Sequence, residues 1–254
     1  MKSHGIISLF IFLIVFAGQT FAATTLDLTT TGSSGSIGTG QFYQYVIPTA
    51  GGTGLLDSFL QILSNDPVEQ GYNTNYSPTE PDAQDAHTKA ILLNDVPSVT
   101  IGGITYREFV LDIAENQGND NELLSLDDLR LFVSTDDSLT DFEPSDNTFS
   151  GSSVPLIYSF GTDDWIKLDA TLAPGSGGTD MIAHIPGFEG YVGGTYYVYL
   201  YSKFGAQGGV FGNSDSFEEW AVGTEGAFIP APGAILLGAI GIGFVNSMRR
   251  RKML

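Results

Sequence analysis

Carboxylates dominate the side chains of this chain that could do chemistry. Asp and Glu number 29, against ten Lys and Arg, three His and no Cys in 254 residues. Two groups fall in loop-like stretches: Asp112, Glu115, Asn119, Asp120 and Glu122, then Asp136, Asp137, Asp141, Glu143 and Asp146. Hard oxygen ligands supplied from loops suit Ca²⁺. Asp112 ends an otherwise apolar run, and with Glu115 and Asp120 it forms the candidate Ca²⁺ site. Neither group has the EF-hand spacing, with Gly at the sixth position and Glu at the twelfth. For either group alone, a solvated acidic loop is the competing reading.

Other chemistries find less footing. No Gly-x-Ser-x-Gly elbow is present for a nucleophilic serine. His87 and His184 stand 97 positions apart and lack the local spacing of a zinc motif; each reads as an ordinary surface or core histidine. Gly51-Gly52-Thr53-Gly54 reads as a turn rather than a phosphate loop. Absent cysteine removes thiol catalysis and disulfides alike. Paired carboxylates for glycoside hydrolysis exist in abundance, which deprives any one pair of meaning. Among the aromatic residues, Tyr72 and Tyr76 sit in a polar stretch and are the candidate platforms for a sugar ligand. Trp165, Tyr197, Tyr199, Tyr201 and Trp220 read as strand residues bound for a core.

The elements that must position these groups are short and extended. Runs rich in β-branched and aromatic residues recur between Gly, Pro, Asn and Asp clusters. Strands are expected at 41–47, 55–63, 89–93, 96–101, 104–114, 126–134, 180–185, 195–204 and 217–222. Residues 154–160 and 165–171 are expected to pair as a hairpin. Gly102-Gly103 is a two-residue hairpin turn. In 104–114, Thr105, Arg107, Phe109, Leu111 and Ile113 share one face, and Tyr106, Glu108, Val110 and Asp112 the other. Stretch 24–40 reads as a mobile lead-in or a ragged first strand, and stretches 65–84 and 135–153 read as loops. No useful helical periodicity appears between 24 and 228. The expected fold is all-β, an antiparallel β-sandwich of jelly-roll type.

The two ends frame this body. Residues 1–22 read as a secretory signal peptide: Lys2, an apolar core over 6–17, and small residues around Ala22. At the other end, residues 229–254 run Pro230-Ala231-Pro232, then eighteen uncharged residues from Ala231 to Met248, then Arg249, Arg250, Arg251 and Lys252. About 17 to 25 apolar residues span a bilayer as a helix, and the cations stay on the cytoplasmic side. The ectodomain, 23–228, then lies outside. It holds all 29 acids and, once Lys2 and the four tail cations are set aside, five of the ten Lys and Arg, a net charge of −24. Such a field repels nucleic acid and attracts cations, and there is no basic stripe for a nucleic-acid partner.

The tail resembles the C-terminal sorting signal of the PEP-CTERM family of bacterial envelope proteins. Pro230-Ala231-Pro232 stands where that family has Pro-Glu-Pro, so the middle residue departs from the pattern. The resemblance implies a sorting enzyme of the exosortase class as partner, anchoring by the C-terminal helix, and residence at the cell surface or in the extracellular matrix. Residues 69–74, 106–113, 124–129 and 217–222 also resemble stretches of ectodomains that carry this kind of tail. The function expected is structural or adhesive, through Ca²⁺ or an extracellular polysaccharide, and non-catalytic. The alternative is a carbohydrate-active hydrolase with a carboxylate pair.

Overall fold

The computed structural model describes residues 23–47, 56–78, 81–115, 121–173, 178–214, 216–224, 226 and 228. The signal segment, the tail with its Pro-Ala-Pro and Arg residues, and Asp120 lie outside the described residues. In chain order the strands are β1 (Thr25–Asp27), β2 (Ser34–Ile37), β3 (Gly40–Gln44), β4 (Leu56–Leu63), β5 (Glu69–Tyr72), β6 (Ile91–Leu92), β7 (Ser98–Ile101) and β8 (Ile104–Ile113). Next come β9 (Leu123–Ser134), β10 (Phe142–Glu143), β11 (Thr148–Phe149), β12 (Ser152–Ser153) and β13 (Leu156–Ser159). The last four are β14 (Trp165–Asp169), β15 (Met181–Pro186), β16 (Tyr197–Phe204) and β17 (Phe217–Gly223).

The described residues are all-β, as the sequence implies. One seven-stranded sheet has the order β1-β14-β9-β16-β5, with β13 on β9 and β6 on β16. The second runs β2-β3-β15-β8-β17-β4, with β7 on β8. A three-stranded sheet, β10-β11-β12, completes the set. Two large sheets sharing one apolar core are consistent with a β-sandwich. The alternation expected in β8 holds: Phe109, Leu111 and Ile113 join the main core with Leu131, Val133, Val198 and Leu200 of the other sheet. β16 is aromatic or apolar on both faces because both are covered. Val198 and Leu200 face the main core, while Tyr199 and Tyr201 pack with Tyr72, Phe132 and Phe149 in a second cluster.

Three expectations are corrected, and in 24–40 the strand alternative holds. Stretch 65–84 contains β5, hidden because Glu69, Gln70 and Gly71 read as loop residues although Glu69 is fully buried. Stretch 135–153 contains β10 to β12, whose Phe142 and Phe149 roof the second aromatic cluster. Stretch 24–40 contributes β1 and β2, and β1 runs parallel to β14 in an otherwise antiparallel sheet. Finally, β13 and β14 do not pair as a hairpin. Each pairs with β9, whose twelve residues accept β13 along 130–132 and β14 along 123–126.

Where β5 stops, one side chain continues its ladder. Asn73 is fully buried; its Nδ2 donates to the Val198 carbonyl at 2.9 Å, and its Oδ1 accepts from the Leu200 amide at 2.6 Å. Leaving a buried backbone group unsatisfied costs about 1–3 kcal/mol. Asn73→Ala is therefore expected to destabilise the fold by about 2 kcal/mol or more, read as a lowered urea midpoint with an unchanged slope.

Candidate functional site

Five connections between the two large sheets lie at one pole: β1 to β2, β4 to β5, β8 to β9, β14 to β15 and β16 to β17. The antiparallel registers put the end of β8 beside the starts of β15 and β17 and the end of β4. Five carboxylates at this pole are nearly removed from water: Glu69 and Glu218 at 0% exposure, Asp180 at 2%, Asp112 and Glu115 at 4%.

Glu218 belongs to the interlayer face. It stands opposite Ile113 of β8 and Ile62 of β4, both core residues, and shares its parity with fully buried Trp220. Pairing continues one step past β8, because the Ala114 amide donates to the Phe217 carbonyl at 3.1 Å. Glu115 is thus the diagonal neighbour of Glu218, a relation that brings Cβ atoms to within about 7–8 Å. Glu69 approaches from the other sheet. Its Oε2 accepts from the Ser64 amide at 3.0 Å and from Asn213 Nδ2 at 3.2 Å. Ser214, the next residue, donates its amide to Glu115 Oε2 at 3.0 Å, and its hydroxyl donates to the same oxygen. Gly205 permits this arrangement: its φ is +79°, and a Cβ there would overlap the Pro67 carbonyl. Burial pushes Glu69 up to about 8; the Ser64 amide opposes the shift and the charges of Glu115 and Asp82 add to it.

Asp112 lies on the opposite face of β8 from Glu115, with Glu108 and Val110. There the charge of Asp112 acts on Asp180, whose Oδ2 accepts from the Ile113 amide at 2.8 Å. The structure thus sets Asp112 with Asp180 and Glu115 with Glu69, and does not bring Asp112 and Glu115 together on one face. Among the described residues, no three acidic or histidine side chains stand at the spacing of a formed metal site.

The second acidic group is a set of capped turns. Asp136 accepts from the Ser138 amide, Glu143 from the Ser145 amide, and Asp146 from the amide and hydroxyl of Thr148. Asp141, at φ +52°, accepts from Thr140 and Ser150. The hydroxyl of Ser138 and the amide of Asn75 hold Asp137 below the usual carboxylate range. Asp and Asn tolerate such left-handed and turn positions, so this group is explained by backbone geometry and exposure. Arg130 ties the segment down through the Pro144 carbonyl and Asn147 Oδ1 while pairing with Asp128.

Of the two expected sugar platforms, Tyr72 is 2% exposed and meets Phe149 edge-on at a centroid distance of 5.5 Å, so packing takes up its ring. Tyr76 is 45% exposed and keeps the reading open. His184 is fully buried on the outer face of its sheet, with Nε2 at 2.8 Å from Glu108 Oε2; His87 is exposed. A depression of about 270 Å³ at the opposite pole is lined by Tyr106, Arg107, Phe188 and Glu189 among others.

Sequence reasoning missed Glu69 and Glu218. The signal for Glu218 was present in strand parity, since Glu218 alternates with Trp220 and Val222 on an apolar face. With the geometry in view, no protein-family model, no curated protein and no solved structure matches this chain.

Asp180 gives a pH signature. Burial, the largest cause, raises it to about 8. Between about pH 4 and 8 the folded chain keeps this proton and the unfolded chain loses it, so stability falls as pH rises through that window. In EDTA, Asp180→Asn is expected to melt higher than wild type at pH 8 and close to wild type at pH 4.5. Parallel melting curves across that range would contradict this.

Proposed function

We propose that this chain is an exported, surface-anchored protein with a structural or adhesive role, and that residues 23–228 form an antiparallel β-sandwich of jelly-roll type. The observation that carries the reading is how the body ends. Phe228 closes it: its amide donates to Glu108 Oε1 at 2.6 Å, and its ring packs on the outer cluster of Ile47, Val110 and Ile182. Two residues later comes Pro230-Ala231-Pro232, then the apolar run and the Arg cluster. A folded body that finishes against its own sheet just before such a tail suits a domain displayed on a stalk. The jelly-roll reading draws on β14 to β17, which alternate between the two large sheets.

In this reading residues 1–22 direct export, the helix over 231–248 holds the membrane, and an exosortase-type enzyme is the partner that reads the Pro-Ala-Pro segment. Among the described residues no helix is long and apolar enough to cross a membrane; the tail is the segment assigned to that task. The net charge of −24 suits an extracellular body and opposes binding to nucleic acid. A polysaccharide would meet Tyr76 on the exposed polar loop. A glycoside hydrolase would need two carboxylates about 5 to 9 Å apart flanking a cleft, and the depression beside Arg107 carries Glu189 as the carboxylate of its lining.

Two measurements check the reading. Protease added to intact spheroplasts is expected to remove the ectodomain, and full protection would overturn export. Intact-mass measurement of protein taken from the native surface is expected to give a chain ending near Pro230-Ala231-Pro232. A species that still ends at Leu254 would make the tail a permanent anchor and remove the sorting enzyme from the account.

A further inference from the structure

We infer that the interlayer pole is a divalent-cation site, of Ca²⁺ type, built on Glu218 of β17 and Glu69 of β5 with Glu115 beside them. Glu218 is fully buried between the sheets, and neither of its carboxylate oxygens has a hydrogen-bond partner among the described residues. Oε1 of Glu69, equally buried, has none either. Buried polar groups are almost always satisfied, and a carboxylate taken from water without a partner is among the costliest groups a fold can hold. Protonation of Glu218 removes its charge but leaves a hydroxyl donor in the same surroundings. A hard cation satisfies these oxygens together, and carboxylates are its preferred ligands.

Of the five cations in residues 23–228, four are engaged elsewhere, and Lys203 alternates with core Phe204 on β16 and so lies on that sheet's other face. Lys89 pairs with Asp57, Lys167 with Asp27 and Arg130 with Asp128, while Arg107 donates to the Val96 carbonyl. The two best-placed ligands come from different sheets, so an ion between them would fasten β5 to β17 at the pole where five connections cross. Among the described residues no three acids stand at ligand spacing, so Glu69 and Glu218 are assigned as two of the about six to eight oxygen ligands such an ion takes, with water completing the set. The site differs from the triple read in the sequence, since Glu115 alone is common to both. It is independent of the anchoring reading, and failure of either leaves the other standing.

The test uses the full chain purified in mild detergent. Millimolar Ca²⁺ is expected to raise the melting temperature by a few degrees over Na⁺ at matched ionic strength, because a cation bound only to the folded form stabilises it. Tb³⁺ is expected to show emission sensitised by Trp220, two positions from Glu218 on the same face, and Ca²⁺ should displace it. Glu218→Gln and Glu69→Gln keep side-chain shape and should each weaken Tb³⁺ binding at least tenfold, whereas Asp146→Asn in the exposed acidic segment should leave it unchanged. Equal melting in Ca²⁺ and Na⁺, undiminished Tb³⁺ affinity in Glu69→Gln or Glu218→Gln, or its loss in Asp146→Asn would each overturn the site. Should Glu218→Gln fail to fold, the wild-type titration and Glu69→Gln decide the matter.

Discussion

Electrostatics at one pole sets the terms for this fold. Five carboxylates leave water there, in a body, residues 23–228, that holds five Lys and Arg against 29 acids. Removing a charge from water costs several kcal/mol even after relaxation. A buried Leu or Phe contributes about 1.5–3 kcal/mol, so several core side chains are needed to offset each uncompensated carboxylate. The core between the two large sheets is extensive and cysteine-free, and it meets that cost only when the carboxylates themselves are satisfied. Amide donors do part of this work, as Ser64 and Asn213 do for Glu69, Ser214 for Glu115 and Ile113 for Asp180. The cation inferred between Glu69 and Glu218 supplies the rest.

Topology explains why the acids gather where they do. A strand that must pass from one sheet to the other needs a connection, and connections carry Asp, Asn, Ser and Gly for their turn geometry. Five such passages meet at this pole, so Glu115 and Asp180 on the connections converge with Glu69, Asp112 and Glu218 near the strand ends. The other acidic segment, 135–153, stays within reach of solvent and satisfies itself by local turns. Equal acidity along the sequence therefore becomes two unlike environments in the fold. The outer face of β8 adds a third, where Glu108 joins His184 to the amide of Phe228 at the exit of the body.

Much of this was legible in the sequence. The all-β class, the alternation of β8, the Gly102-Gly103 turn and the central place of β16 followed from residue type and period two. The glycines of that turn have φ of +59° and +85°, as a two-residue hairpin requires. What escaped was long-range. β5 was invisible because its apolar-facing position is occupied by Glu69, and propensity treats a glutamate as a surface residue. Asp112 and Glu115 looked like neighbours in a loop, but strand pairing carries on to Ala114 and turns them to opposite faces. Tyr72 looked like a loop aromatic because the strand containing it was not seen.

The central claim is that a divalent cation joins the two sheets through Glu69 and Glu218. Anomalous diffraction from a crystal of the protein grown with a lanthanide tests it most directly. The account predicts a single strong peak between β5 and β17, within about 2.3–2.6 Å of Glu69 and Glu218 carboxylate oxygens. Peaks confined to the exposed turns of residues 135–153, with none at the pole, would contradict it.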